Sequence, residues 1–347
     1  MDNYISKNES LALRGVCITM IVLHNFIHSV VPFHENEKSF SVIRADFFVN
    51  NIFDQPILGT ISYLGWLGVP MFFFLSGYGL NKKYGNQLPN KLFFIKWHYF
   101  KLLLLAGPII LFSNILASTP ISQIVGQLSL INTFFDLKCI NPISWIRPAS
   151  FWYIRVALEF YILYAILLYR INSKLLLALA FVANLSLFFF DWSTVRILKY
   201  HHTGWLFVFS LGIFTAKNPQ WTKYLNNAYI PFLLFVLLII SNINQYLWYF
   251  CDVISVVFLL SIKKYITNKY IVFIGTISAF LYVTHTAVRN PWLSHIKLDY
   301  TNGNLLLITL SICSFYLTCL VVAYIYGLGY KKALSFINKK ANGKNES

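Results

Sequence analysis

Charge is scarce in this chain, and negative charge most of all. Only 12% of its 347 residues are charged, with 12 Asp and Glu against 28 Lys and Arg. A soluble protein carries roughly 25% charged residues, so a water-exposed globular domain is excluded. Cysteine is also sparse. Cys17, Cys139, Cys251, Cys313 and Cys319 show no CxxC and no Cys/His ligand spacing. That leaves no zinc ribbon, and inert buried thiols are expected. HExxH, Walker A and GxGxxG patterns are missing, and no metal site is expected. "FLSGYG" (74–79) is not a nucleophile elbow, because Phe74 stands where GxSxG needs glycine. Its small residues fit close helix packing instead. No internal repeat is visible, which argues against a secondary transporter.

What the chain has is apolar length. Hydrophobic residues make up 57% of it, in runs that recur along the whole sequence. A membrane-crossing helix needs ~20 predominantly apolar residues. Ten spans are read: 11–33, 57–80, 92–117, 151–169, 175–190, 203–216, 225–241, 247–262, 271–291 and 305–327. The expected fold is therefore all-α: a polytopic membrane bundle forming a single domain over 1–330, followed by a polar cytoplasmic tail, 331–347. "KKANGKNES" (339–347) is expected to be disordered. The first run is longer than a signal h-region and lacks a small-residue cleavage site, so it is expected to remain as a helix.

The net charge of +16 points to topology rather than nucleic acid. With the N-terminus in the cytoplasm, most basic residues fall on the inner side, among them Lys82, Lys83, Lys96, Lys101, Lys263, Lys264, Lys331 and Lys332. Of the acids only Asp2, Glu9 and Glu346 join them. This is the positive-inside bias. It puts both termini in the cytoplasm and the long loops 34–56 and 118–150 outside. "CINPISWIRPAS" (139–150), with two prolines, is expected to be irregular and to cap the bundle from outside.

A few polar residues interrupt the spans, and each is costly unless it faces a cavity or a partner. They are Arg14, His24 and His28 on the first span, Arg155 and Glu159 on the fourth, and His285 and Arg289 on the ninth. At ~1.5 Å per residue, His24 lies about 20 Å from the cytoplasmic end of its span, Glu159 about 12 Å below the outer face and His285 about 21 Å up. Three helices thus offer polar groups at one level, which predicts a shared cavity, with Arg14 near the cytoplasmic edge. Ser278, Tyr282 and His285 form a polar stripe, and Asn25 shares the face of Arg14. Arg155 and Glu159, one turn apart, could pair. His201 and His202 are expected in a solvated outer loop.

At these residues the chain resembles acyltransferase family 3, the ten-helix integral membrane acyltransferases, over roughly 10–330. "LRGVCITMIVLHN" resembles the first-helix signature, a basic residue followed by histidine. "GWLGVPMFFFLSGYGL" (65–80) resembles the second-helix pattern ending in Ser-Gly. "FWYIRVALEFYILYAIL" (151–167) resembles the Trp and Phe-Tyr fourth helix, and "FIGTISAFLYVTHTAV" (273–288) the late Gly, Ser, Tyr, His helix.

The resemblance implies transfer of an acyl group, usually acetyl, from cytoplasmic acyl-coenzyme A to a glycan or lipid-linked glycan. The acceptor hydroxyl lies at the outer face of the cytoplasmic (inner) membrane. It implies His24 as base, with His28 as the alternative and Glu159 as a further candidate. A neutral imidazole suits proton removal at pH 7. Arg14, Lys96 and Lys101 would meet the polyanionic donor. Asn25, Ser76, Trp152, Tyr153, Ser278, Tyr282 and His285 would line the substrate cavity. The rival class is an exporter or flippase of a polysaccharide or lipid-linked intermediate, which the cavity and basic edge also suit.

Overall fold

The computed structural model describes residues 4–30, 39–51, 56–85, 87–88, 90–116, 151–296 and 303–342, together with 121, 124, 128 and 298. Every regular element among them is helical. Four helices are long and apolar enough to cross a membrane. Up to six spans result if each of two sharply bent pairs is one span. This is a multi-pass membrane architecture.

α1 (Lys7–Val30) begins before the first apolar run, at a capping box. The Ser6 amide donates to Glu9 Oε2 at 2.8 Å and the Glu9 amide to Ser6 Oγ at 3.2 Å. Two orphan amides of the first turn are satisfied this way. α2 (Val42–Asn51) forms within the segment expected to be a loop. α3 (Pro56–Leu64), a three-ten turn (Gly65–Leu67) and α4 (Gly68–Tyr84) together make the second expected span. α5 is Lys91–Leu116 and α6 is Trp152–Leu163, which ends in a π turn at Tyr164–Leu168. α7 (Ser173–Ser186) and α8 (Trp192–Leu198) follow, α8 being capped by the Asp191 carboxylate. A three-ten turn (His202–Trp205) leads into α9 (Leu206–Lys217). Then come α10 (Ile230–Ile243), α11 (Cys251–Ile266), α12 (Lys269–Thr276), α13 (Ser278–His295) and α14 (Leu305–Asn342).

Three further expectations change. The ninth span is broken at Ile277, where α12 and α13 meet at 73°. A three-ten segment, Pro219–Asn226, lies at 98° to α10. The tail expected to be disordered is helical as far as Asn342, because α14 simply continues through the polar residues. The 139–150 cap and most of loop 118–150 lie outside the described residues.

α1 is the axis of the bundle. Leu13, Cys17, Ile18, Val22, Phe26 and Ile27 are all buried, and the helix packs against α3, α4, α11, α12 and α13. Backbones come unusually close at two crossings. A Cβ on Gly15 or Gly275 would collide with carbonyls of Ile271 or Leu11, at the α1–α12 crossing. A Cβ on Gly77 or Gly212 would collide with those of Phe209 or Phe74, at the α4–α9 crossing. Gly77 belongs to the "FLSGYG" run, whose small residues do let helices close. α14 presents Leu305, Leu306, Leu310, Leu317 and Val321 outward, and α10 presents Phe232 and Leu233. In water this apolar face would be a liability; against lipid it is the required surface.

Candidate functional site

Five helices enclose a cavity of about 250 Å³. α1 supplies Arg14 and Ile21, α4 Phe72 and Ser76, α5 Leu102 and Leu105, α6 Tyr153, Ala157 and Tyr161, and α13 Ser278 and Tyr282. Residues 153, 154, 157 and 161 of α6 share one face because they follow the helical period. Ser76 gives its hydroxyl proton to the Phe72 carbonyl at 2.8 Å, which leaves its oxygen to act as an acceptor. The Tyr153 ring packs edge-on against Tyr282 at 5.4 Å and against Phe72 at 6.0 Å. All three rings line the cavity.

Arg14 is its one charged lining residue. Among the described residues no carboxylate lies within ion-pair distance of this half-buried guanidinium. An intramembrane cation without an acid partner is costly, so the cavity is suited to receive an anion.

The expected cavity residues thus divide. Arg14, Ser76, Tyr153, Ser278 and Tyr282 come together. His24 does not line the cavity: it lies one turn beyond Ile21, is buried, and packs where the backbone of Gly65 leaves it room. Its Nδ1 is 2.8 Å from the Ser62 carbonyl. A carbonyl only accepts, so Nδ1 carries the proton and the lone pair of the neutral ring sits on Nε2. His28 stacks on His24 with ring centres 5.3 Å apart.

Asn25 and His285 meet each other rather than the cavity. The Asn25 amide is 3.3 Å from His285 Nε2, and His285 Nδ1 donates to the Tyr282 carbonyl at 2.7 Å. The lone pair of His285 is therefore occupied by Asn25. Trp152 lies in an aromatic cluster with Phe73 and Trp205.

Glu159 turns away from the cavity. It is about 200° around α6 from Ala157, and Oε2 accepts from both the His202 amide and His202 Nδ1 at 2.9 Å. His201 Nδ1 lies 3.5 Å from Oε1. The two histidines expected in solvent are instead partly buried on this carboxylate. Beside them Lys199 and Asp252 form a buried ion pair, with the Lys199 ammonium over the rings of Trp205 and Trp248. The three levels inferred from helical rise therefore do not share one space, because rotation about each axis is set by neighbours.

Lys101 is partly buried over Trp97 (4.8 Å), and Lys96 is exposed. Both precede Leu102, the first residue of α5 to line the cavity. One residue the sequence reading missed is His98. Its ring lies tilted against Tyr161 at 4.5 Å, and Nδ1 donates to the Phe94 carbonyl at 2.8 Å. Its spacing of four and seven from Leu102 and Leu105 was the available signal. Among the described residues no group of His, Cys, Asp and Glu is placed to hold a metal ion.

A bundle of apolar helices around a cavity with one cation and several hydroxyls defines a multi-pass membrane protein with an internal polar site. The family follows from comparison. The acyltransferase domain of acyltransferase family 3 matches residues 10–326, and the chain belongs to that family: it is a membrane acyltransferase. No curated protein and no solved structure matches it.

Proposed function

We propose that this protein is an O-acyltransferase of the cytoplasmic membrane with ten spans and both termini inside. It moves an acyl group, acetyl in the simplest case, from cytoplasmic acyl-coenzyme A to a hydroxyl of a glycan or lipid-linked glycan at the outer face. The observation that carries this reading is Arg14, a guanidinium with no carboxylate partner among the described residues, inside a hydroxyl-lined cavity of a family acyltransferase.

In this reading Arg14 takes a phosphate of the donor, aided by Lys101 and Lys96 at the approach. The pantetheine arm runs along the cavity, where Ser76, Tyr153, Ser278 and Tyr282 offer hydrogen bonds to its amides and thioester. His24 lies about 15 Å further along α1, a distance the extended arm covers. The acceptor hydroxyl gives its proton to His24 Nε2 as its oxygen attacks the thioester carbon. The carbon–sulfur bond breaks, and the departing thiolate recovers the proton from the imidazolium. Ser62 holds Nδ1–H throughout and stabilises the charged ring.

Binding of acetyl-coenzyme A to the purified protein tests this. Arg14→Ala should weaken it by about 10–100-fold, the worth of charge-assisted hydrogen bonds. Arg14→Lys should fall between, keeping the charge without the planar fork. Equal affinity in wild type and Arg14→Ala would refute the role. Conversion of acetyl-coenzyme A to free coenzyme A separates the reading from an exporter.

A further inference from the structure

A second guanidinium touches α1 at its other end. Arg289, on α13, donates through one terminal nitrogen to the Asn25 carbonyl at 3.1 Å, and to the side-chain oxygen of Asn290 at 3.3 and 3.4 Å. These acceptors are neutral and two of the contacts are long. Among the described residues no carboxylate pairs with Arg289. Its five N–H donors therefore keep capacity to spare. One turn on, Trp292 packs edge-on against Phe315 at 6.2 Å. Its indole N–H is shut off from solvent and has no acceptor among the described residues. Arg289 and Trp292 are three residues apart and so share a helix face.

A charge and a buried donor, both lacking an anionic acceptor among the described residues, define a place for one. Neither belongs to the cavity of Arg14: Asn25 is about 16 Å along α1 from Arg14. Asn25 is also the residue after His24. We propose that Arg289 and Trp292 form a phosphate subsite at the end of α1 opposite Arg14. The phosphate comes either from the linkage between a lipid carrier and its glycan or from the headgroup of a bilayer phospholipid. Phosphate fits because it accepts from a guanidinium fork and an indole N–H together, and because lipid phosphates lie at the membrane surface. On the acyl-transfer reading above, this subsite holds the acceptor with its sugar beside His24, while Arg14 holds the donor from the opposite side.

The test uses the full chain purified in detergent and two soluble probes, farnesyl diphosphate and dioctanoyl phosphatidylglycerol, with binding read as a saturable thermal shift. At least one probe should bind wild type, and Arg289→Gln should weaken it by about tenfold or more. Affinity for coenzyme A should be unchanged in that variant. Binding of farnesyl diphosphate supports the carrier-linked phosphate, and binding of phosphatidylglycerol alone supports the headgroup. Trp292→Phe keeps the ring against Phe315 and removes only the N–H. It should weaken the same probe several-fold, and it serves if Arg289→Gln does not fold. The subsite is overturned if neither probe binds wild type or if Arg289→Gln binds as wild type does. Unaltered affinity in Trp292→Phe, with Arg289→Gln unfolded, overturns it equally. Failure of coenzyme A to bind wild type would sink the acyl-transfer reading and leave the phosphate result standing.

Discussion

His24 and His285 are both buried imidazoles on helices that meet, and both donate through Nδ1 to a backbone carbonyl. In His285 the lone pair on Nε2 receives the Asn25 amide. On the proposed role of His24 as base, His24→Ala is expected to reduce turnover by about 10²–10⁴-fold while acetyl-coenzyme A binds as before. Rates and affinities of His24→Ala and His28→Ala decide this, and loss of turnover in His28→Ala alone would move the base one helical turn. Lys263 gives a residue-level prediction at the C-terminal end of α11. It donates to the Tyr4 carbonyl at 2.7 Å, and Glu9 lies 3.8 Å away. Burial lowers its pKa from 10.5 to about 8 despite Glu9. Below pH 8 the amine is charged in both folded and unfolded chains. Between about 8 and 10.5 the folded chain has released its proton and the unfolded chain has not, so this group's contribution to stability rises with pH. Over that window the difference in thermal midpoint between wild type and Lys263→Met should shift in favour of wild type, and parallel curves would contradict it.

At the scale of elements, contact between α4 and α9 sets the cavity wall. Gly77 and Gly212 let the two backbones touch, and α4 carries Phe72 and Ser76 on its other side. Gly212→Leu must push the helices apart or strain them, a cost of about 1–3 kcal/mol. A lower melting temperature and weaker acetyl-coenzyme A binding are expected together. Gly79→Leu is the control, since Gly79 is exposed and a Cβ there meets nothing within 4 Å. Equal melting of the two variants would show that the crossing does not govern stability. The turn between α8 and α9 is held just as firmly, by Lys199 on Asp252 and by His202 on Glu159. Glu159 thus fastens the turn before α9 to α6, a role that needs no contact with substrate.

For the whole molecule the question is sidedness. The basic residues favour an inner position for both termini. That places the start of α8 at Ser193 outside and the segment at Lys223 inside, and both side chains are exposed. In sealed cells an impermeant thiol reagent should label Ser193→Cys. It should label Lys223→Cys only after permeabilisation, with wild type as background. The reverse pattern would invert the topology and with it the side from which the donor enters.

Much of this was legible in the residues alone. Scarcity of charge and apolar length made the chain a membrane bundle, since the cost of a polar group in lipid is paid residue by residue and needs no partner. The same local reasoning picked out Arg14, Ser278 and Tyr282, the family resemblance added Ser76 and Tyr153, and the structure gathers these around one cavity. The Ser6–Glu9 capping box was equally local and would have put the start of α1 at Lys7. What the sequence did not contain was rotation and bending. Helical rise put His24, Glu159 and His285 at one level, but which way each side chain faces depends on what packs beside its helix. Glycine crossings, the histidine turn on Glu159 and the 73° break at Ile277 are contacts between residues far apart in the chain. Only the folded bundle decides them, because each is fixed by the shape of a partner surface and not by the composition of a segment.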